Sequence, residues 1–296
     1  MKILGISRSP RFSPNSVARD KAIFQAVAGE LRRMGHDVAT VCEDDFRDTG
    51  HADIIYNMGR DTCFLASLAR HTGVPVINSP SALLSATRTA LTERFGAEGI
   101  PIPRSYTFRT ATLAPADADA FCESCGNRIW LKRGDACAQS AEDVRHIQDT
   151  DSLHTALEDF ARRNITDGVL CEHVAGDLVK FYGVEGTDFF YLYYPTEGKN
   201  FSKFGLEKIN GAPTGFAFRT QALKACADHA ARLSGFIVYG GDAIIRRDGS
   251  FVIIDFNDWP SFSRCCNEAA RAIAARVNIL RNALHPVAMQ SAFHYL

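Results

Sequence analysis

Asp242, Asp255 and Asn257 are the side chains of this chain whose types and spacing suit a hard cation. They sit in VYGGDAIIRRDGSFVIIDFNDWPSF, residues 238–262, where two apolar runs flank Arg247-Asp248-Gly249-Ser250. Asp-Gly between strand-like runs predicts a two-residue hairpin turn, because Gly tolerates positive φ. Such a turn sets Arg247 opposite Ser250 and therefore Asp242 opposite Asp255, with Cβ atoms about 5 Å apart. Side chains alternate along a strand, so Asn257 shares the face of Asp255. Facing like charges destabilise a sheet, and a cation between them would relieve the repulsion. Mg²⁺ prefers oxygen ligands and is typically held by one or two carboxylates plus substrate phosphates. The plain alternative is a solvated strand end, where Asp and Asn favour turns. A three-residue loop would shift the register and break the shared face.

Two further signals precede this hairpin. Lys132 ends the apolar strand Ile129-Trp130-Leu131. There it either snorkels or presents a point charge to phosphate. Glu172 lies in VLCEHVAGD, a strand running into a glycine turn. Extended backbone at that point could offer an N–H and a C=O to a base edge.

The elements that must position these residues follow from periodicity. Strand-like runs at 2–6, 38–41, 53–56 and 75–77 alternate with helical patterns at 16–34 and 62–71, which predicts a parallel α/β layer. Its first loop, SRSPRFSPNS, is polar and basic and follows strand one, where such sheets bind ligands; Ser7, Arg8 and Arg11 are its substrate candidates, although such a loop is also a common connector. Pro101 and Pro103 mark a shift to a compact α+β unit, and three strand-like runs, a helix ended by Gly235, the hairpin and a C-terminal helix follow from Gly168. The expected domains are 1–100, 101–167 and 168–296.

With 296 residues, 46% hydrophobic and 23% charged, the chain reads as an ordinary globular protein of two or three small domains. Net charge −1 removes the electrostatic case for broad nucleic-acid or membrane binding. No apolar run approaches the ~20 residues of a membrane helix, and the N-terminus lacks a signal-peptide pattern. A cytoplasmic location is expected, with the nine cysteines as thiols; Cys122-x-x-Cys125 has no companion pair and reads as packing.

GIPIPRSYTF after a helix, Lys132 on its strand, CEHVAGD and GGDAIIRRDGSFVIIDFNDWPSF together resemble the ATP-grasp superfamily over essentially the whole chain, on its glutathione synthetase-like branch. The hairpin is close to the GxD…(D/E)xNxxP(G/S) metal block of D-alanine–D-alanine ligases and ribosomal-protein glutamate ligases. The resemblance implies an N-terminal α/β domain and two α+β subdomains clasping ATP, with one or two Mg²⁺ (Mn²⁺ able to replace it). Under it Asp242, Asp255 and Asn257 would hold the metal and Lys132 the phosphates. Glu172, His173 and the Val174 backbone would face the adenine, and Asp177 the ribose. Lys180 and Lys203 would reach the γ-phosphate or substrate, and Ser261, Ser263 and Arg264 the carboxylate substrate. Two departures stand out. Arg88 occupies a helix position that usually carries Lys, and the loop KRGDACAQSAED has a single glycine where relatives have several. The implied activity is amide formation between a carboxylate and an amine through an acylphosphate. A kinase acting on a hydroxyl, with Asp258 or His173 as base, and a non-catalytic nucleotide-binding protein are the alternatives. The resemblance points toward a homodimer, and no stretch of sequence argues for one.

Overall fold

The computed structural model describes residues 1–13, 15–70, 73–136, 140–195 and 206–284, without side chains at 207, 208 and 281–284. The N-terminal part runs β1 (Lys2–Ser7), α1 (Val17–Arg33), β2 (Asp37–Cys42), β3 (Ile54–Asn57), α2 (Thr62–Ala69), β4 (Val76–Ile77), α3 (Pro80–Ser85) and α4 (Arg88–Ala97). Its four strands pair parallel in the order β2-β1-β3-β4. Ile3 and Ile6 on β1 are both buried, as expected of a sheet covered on two faces.

The central part contains β5 (Ser105–Arg109), α5 (Pro115–Ser124), β6 (Ile129–Arg133), β7 (Val144–Ile147), α6 (Thr150–Arg162) and β8 (Asp167–Glu172). These strands form an antiparallel sheet, β5-β8-β6-β7. Thus β8, which the 167/168 boundary hands to the last unit, is an inner strand of the central sheet. Helix α6 buries Leu153, Ala156 and Phe160, its i, i+3, i+7 stripe, against that sheet.

The last part holds β9 (Asp177–Val184), β10 (Phe190–Tyr193), α7 (Thr220–Ser234), β11 (Val238–Ile245), β12 (Phe251–Asp258) and α8 (Cys266–Leu284). Its sheet is antiparallel in the order β10-β9-β11-β12. Gly235 ends α7 at φ +73°, the left-handed cap that a residue without a Cβ adopts freely.

First and last parts share one apolar core. Ile23, Val27 and Leu31 of α1 cluster with Ala270, Ile273 and Val277 of α8 and with Val238, Trp259 and Phe262 beside the hairpin. A buried amide fastens the same junction. Asn78 Oδ1 accepts from Ile237 N at 2.7 Å and Val238 N at 2.9 Å, and its Nδ2 donates to Val238 O at 2.8 Å. The N-terminal layer therefore fixes where β11, and with it Asp242, begins.

Candidate functional site

The hairpin turn is longer than the Asp-Gly pair predicts. Arg246 N donates to Ser250 O at 2.8 Å across a three-residue loop, and Gly249 sits at φ +81°. That geometry slips the register by one residue, so Ile245 faces Phe251 and Ala243 faces Ile253. A bulge then returns the residue: the register shifts between Asp242 and Ala243, and Asp242 faces Asp255. Ile254 is the unpaired extra residue. A bulge frees backbone groups from the ladder, and here the Ile254 carbonyl accepts a 2.8 Å bond from Lys132 Nζ, from the central sheet. Gly241 permits the close strand approach, since an added Cβ would lie 2.4 Å from Asp255 O.

The paired acids meet cations from two other elements. Lys180 faces Asp242 on neighbouring β9, and its Nζ lies 3.0 and 2.9 Å from the two carboxylate oxygens. Arg88, at the start of α4, donates Nη1 to Asp255 Oδ1 at 2.7 Å and Nε to Arg133 O at 3.1 Å. Asn257 Nδ2 donates to Asp255 Oδ2 at 2.6 Å. Burial works to raise the Asp255 carboxyl, but the Arg88 and Lys132 charges and the Asn257 bond hold it down to about 2. The acid is thus ionised at neutral pH.

Two carboxylates and an amide on one patch are hard oxygen donors, the set Mg²⁺ takes. The donor chemistry fits the Mg²⁺ that the sequence resemblance implies. Among the described residues no group of three or more His, Cys, Asp or Glu is placed to hold a metal, so this set depends on Asn257 as its third donor.

A cleft of about 970 Å³ opens in front of these residues. Arg88, Lys132, Lys180, Asp242, Asp255 and Asn257 line it, together with Glu172 and Val174. Arg8, Ser261, Ser263 and Arg264 also face the cleft. The structure thus brings together twelve of the residues singled out from sequence.

Others it places elsewhere. Asp177 is buried, and its carboxylate accepts the backbone N–H groups of Thr214, Gly215 and Phe216 at 2.7–2.8 Å. Those bonds make it the anchor of a loop, and it does not line the cleft. His173 stands behind Trp130, whose Nε1 donates to His173 Nδ1 at 3.2 Å. Burial, then the Arg128 charge, pushes the His173 imidazolium down to about 4. Its backbone N–H bonds Arg128 O, and that of Glu172 bonds Arg104 O. Lys203 lies outside the described residues.

Trp130 is a cleft residue that sequence reading gave no role. It sits two positions before Lys132, so the two share a face of β6. A second missed group closes the wall toward the N-terminal sheet. Arg60, in the loop after β3, bonds Asp258 Oδ1, while Arg8 donates to Asp20 Oδ2 at 3.0 Å and to Met58 O at 3.2 Å. Both loops hang on one buried carboxylate: Glu43 accepts from Ser9 N at 2.6 Å and from Arg60 N and Asp61 N at 2.7 Å each. At the far wall the Arg264 guanidinium lies 4.4 Å from the Tyr193 ring centre, and Tyr193 and Tyr182 share a 2.8 Å hydroxyl bond.

No family model matches the sequence, and no curated protein matches it. Solved structures match over nearly the full length. A RimK-domain ATP-grasp protein from Sphaerobacter thermophilus shares 17% identity at TM-score 0.64, covering 94% of this chain and all of that one. The D-alanine–D-alanine ligase of Bacillus anthracis, complexed with ATP, shares 12% identity at TM-score 0.69, over 96% and 99% of the two chains. The ATP-grasp ligase PsnB, complexed with precursor, Mg and ADP, shares 18% identity at TM-score 0.63, over 93% and 98%. A parallel N-terminal sheet, two antiparallel sheets and this likeness agree: the chain has the ATP-grasp fold.

Proposed function

We propose that the protein is an ATP- and Mg²⁺-dependent ligase that joins a carboxylate to an amine. The observation that carries this reading is the facing pair Asp242 and Asp255, with Asn257 beside them, on a cleft wall shared with Lys132, Lys180 and Arg88. That is an arrangement for a metal-bound polyphosphate. The solved proteins of similar fold, with their bound ATP or Mg and ADP, support the same assignment.

Asp242, Asp255 and Asn257 would hold Mg²⁺, which when bound neutralises charge on the phosphates. Lys132 and Arg88 would take phosphate oxygens, as point charge and as fork respectively. Trp130, Glu172 and Val174 would receive the adenine, with the indole face available for stacking. Arg8, Ser261, Ser263 and Arg264 would position the acceptor carboxylate. The carboxylate attacks the γ-phosphorus and ADP leaves; the amine then attacks the acylphosphate carbon, giving amide and phosphate. No protein side chain need be a nucleophile, since positioning and electrostatics dominate phosphoryl transfer. Closure of the cleft would protect the acylphosphate from water.

The kinase alternative wants a general base within reach of a hydroxyl. Of its two candidates, His173 accepts from Trp130 behind the cleft wall, and Asp258 lines the cleft as the buried counter-ion of Arg60. The test is a screen of carboxylate and amine pairs with ATP and Mg²⁺. Phosphate release that requires both partners is expected. Stable transfer of phosphate to a hydroxyl would replace the ligase reading.

A further inference from the structure

The charges lining the cleft are already matched to one another. Lys180 Nζ occupies both oxygens of Asp242, Arg88 occupies one oxygen of Asp255, and Lys132 rests on the Ile254 carbonyl. The cations suited to phosphate are therefore counter-ions of the acids suited to metal. A ligand entering this site has to take those pairs apart.

We propose that Lys180 makes the site selective for the metal–nucleotide complex over either component alone, by exchanging its partner from Asp242 to phosphate as the metal takes Asp242. The inference rests on reading the site as a nucleotide site. A divalent cation arriving alone must displace an ammonium from Asp242 and leave it beside a second positive charge. A nucleotide arriving alone must draw Lys180 away and leave its own phosphates against an uncovered carboxylate. Only the complex supplies a cation for the acid and an anion for the ammonium in one step.

The geometry makes the exchange short. Asp242 and Lys180 are direct cross-strand neighbours, so the ammonium need only swing off the carboxylate into the cleft it already lines. Both side chains are largely shielded, at 16% and 24% exposure. Removing one partner of such a pair takes away the other's direct cross-strand counter-ion at a site where water screens charge poorly. Arg88 repeats the arrangement at Asp255, fixed on its other side by Arg133 O.

Two substitutions separate this from a simple set of ligands. Mn²⁺ serves as the metal probe without nucleotide, and AMP-PNP in EDTA as the nucleotide probe without metal, both followed by calorimetry. In Lys180→Met, with that ammonium gone from Asp242, the site should bind Mn²⁺ more tightly than wild type, by about tenfold, a typical size for coupling between sites. The same variant should bind metal-free AMP-PNP more weakly. Asp242→Asn should do the reverse, with tighter metal-free AMP-PNP and weaker Mn²⁺. Far-UV circular dichroism and the unfolding midpoint show that each variant is folded before it is titrated. Opposite signs in the two variants support the exchange. Losses of both ligands in both variants, or no gain in either, overturn it while leaving the nucleotide reading intact, provided wild type binds AMP-PNP with Mn²⁺. If wild type does not bind that complex, the nucleotide reading fails and takes the exchange with it.

Discussion

Lys132 donates its ammonium to the carbonyl of Ile254, the residue that the bulge in β12 leaves unpaired. One irregularity thus does two things: it sets Asp242 opposite Asp255, and it turns a strand carbonyl toward the neighbouring sheet. The bond joins the central sheet to the last one between two residues that line the cleft.

Lys132→Met should therefore cost stability as well as ligand affinity. Lys132 is buried, and its loss leaves the Ile254 carbonyl without that donor. Ile254 is half-buried at the cleft, so the loss should lie at the low end of the about 1–3 kcal/mol that a buried unsatisfied acceptor costs. Urea unfolding should show a lower midpoint with unchanged m, and nucleotide affinity should fall in parallel. An unaltered midpoint would mean that water replaces the ammonium at no cost.

Asn78→Ala should separate stability from chemistry. The side chain satisfies three backbone groups at the start of β11 and is not part of the cleft lining. The loss should be about 3 kcal/mol, read from urea unfolding. Nucleotide affinity of the folded variant should stay close to wild type. A large affinity loss in well-folded protein would show that the junction reaches the site.

Stability should also fall with acid through His173. Its folded value, about 4, lies below the ordinary 6.5, so the folded state prefers the neutral ring. As pH falls from 6.5 toward 4 the unfolded chain takes the proton first and stability drops, solvent screening at this half-buried ring holding the loss to roughly 2 kcal/mol. Protonation at Nδ1 would also end the bond from Trp130. His146, lowered mainly by burial, adds in the same direction. His173→Gln should flatten the slope of unfolding free energy between pH 6.5 and 4. An unchanged slope would assign the acid sensitivity to other groups.

Period-two alternation made the shared patch of Asp242, Asp255 and Asn257 legible, because it needs only the face of each strand. The turn was not legible, since Asp-Gly suits both two- and three-residue loops, and a bulge leaves no mark in an apolar run such as Phe251 to Ile254. The pairing of Asp242 with Asp255 was reached through a two-residue turn that the structure replaces with a longer turn and a bulge that cancel. Trp130 was within reach of the same alternation, two residues from Lys132. Asp177 was not: its partners lie at 214–216, and a carboxylate that closes a distant loop looks in sequence like one that meets a ligand. Strand β8 went to the wrong sheet because a run of apolar residues does not name its neighbours.

The central claim is that a metal-bound nucleotide sits on Asp242, Asp255 and Asn257, and calorimetric titration with AMP-PNP and Mg²⁺ tests it most directly. Wild type should bind one nucleotide per chain, and Asp255→Asn should weaken that binding about 100-fold or more while keeping the wild-type circular dichroism. Undiminished binding by Asp255→Asn, or no binding by wild type, would contradict the claim.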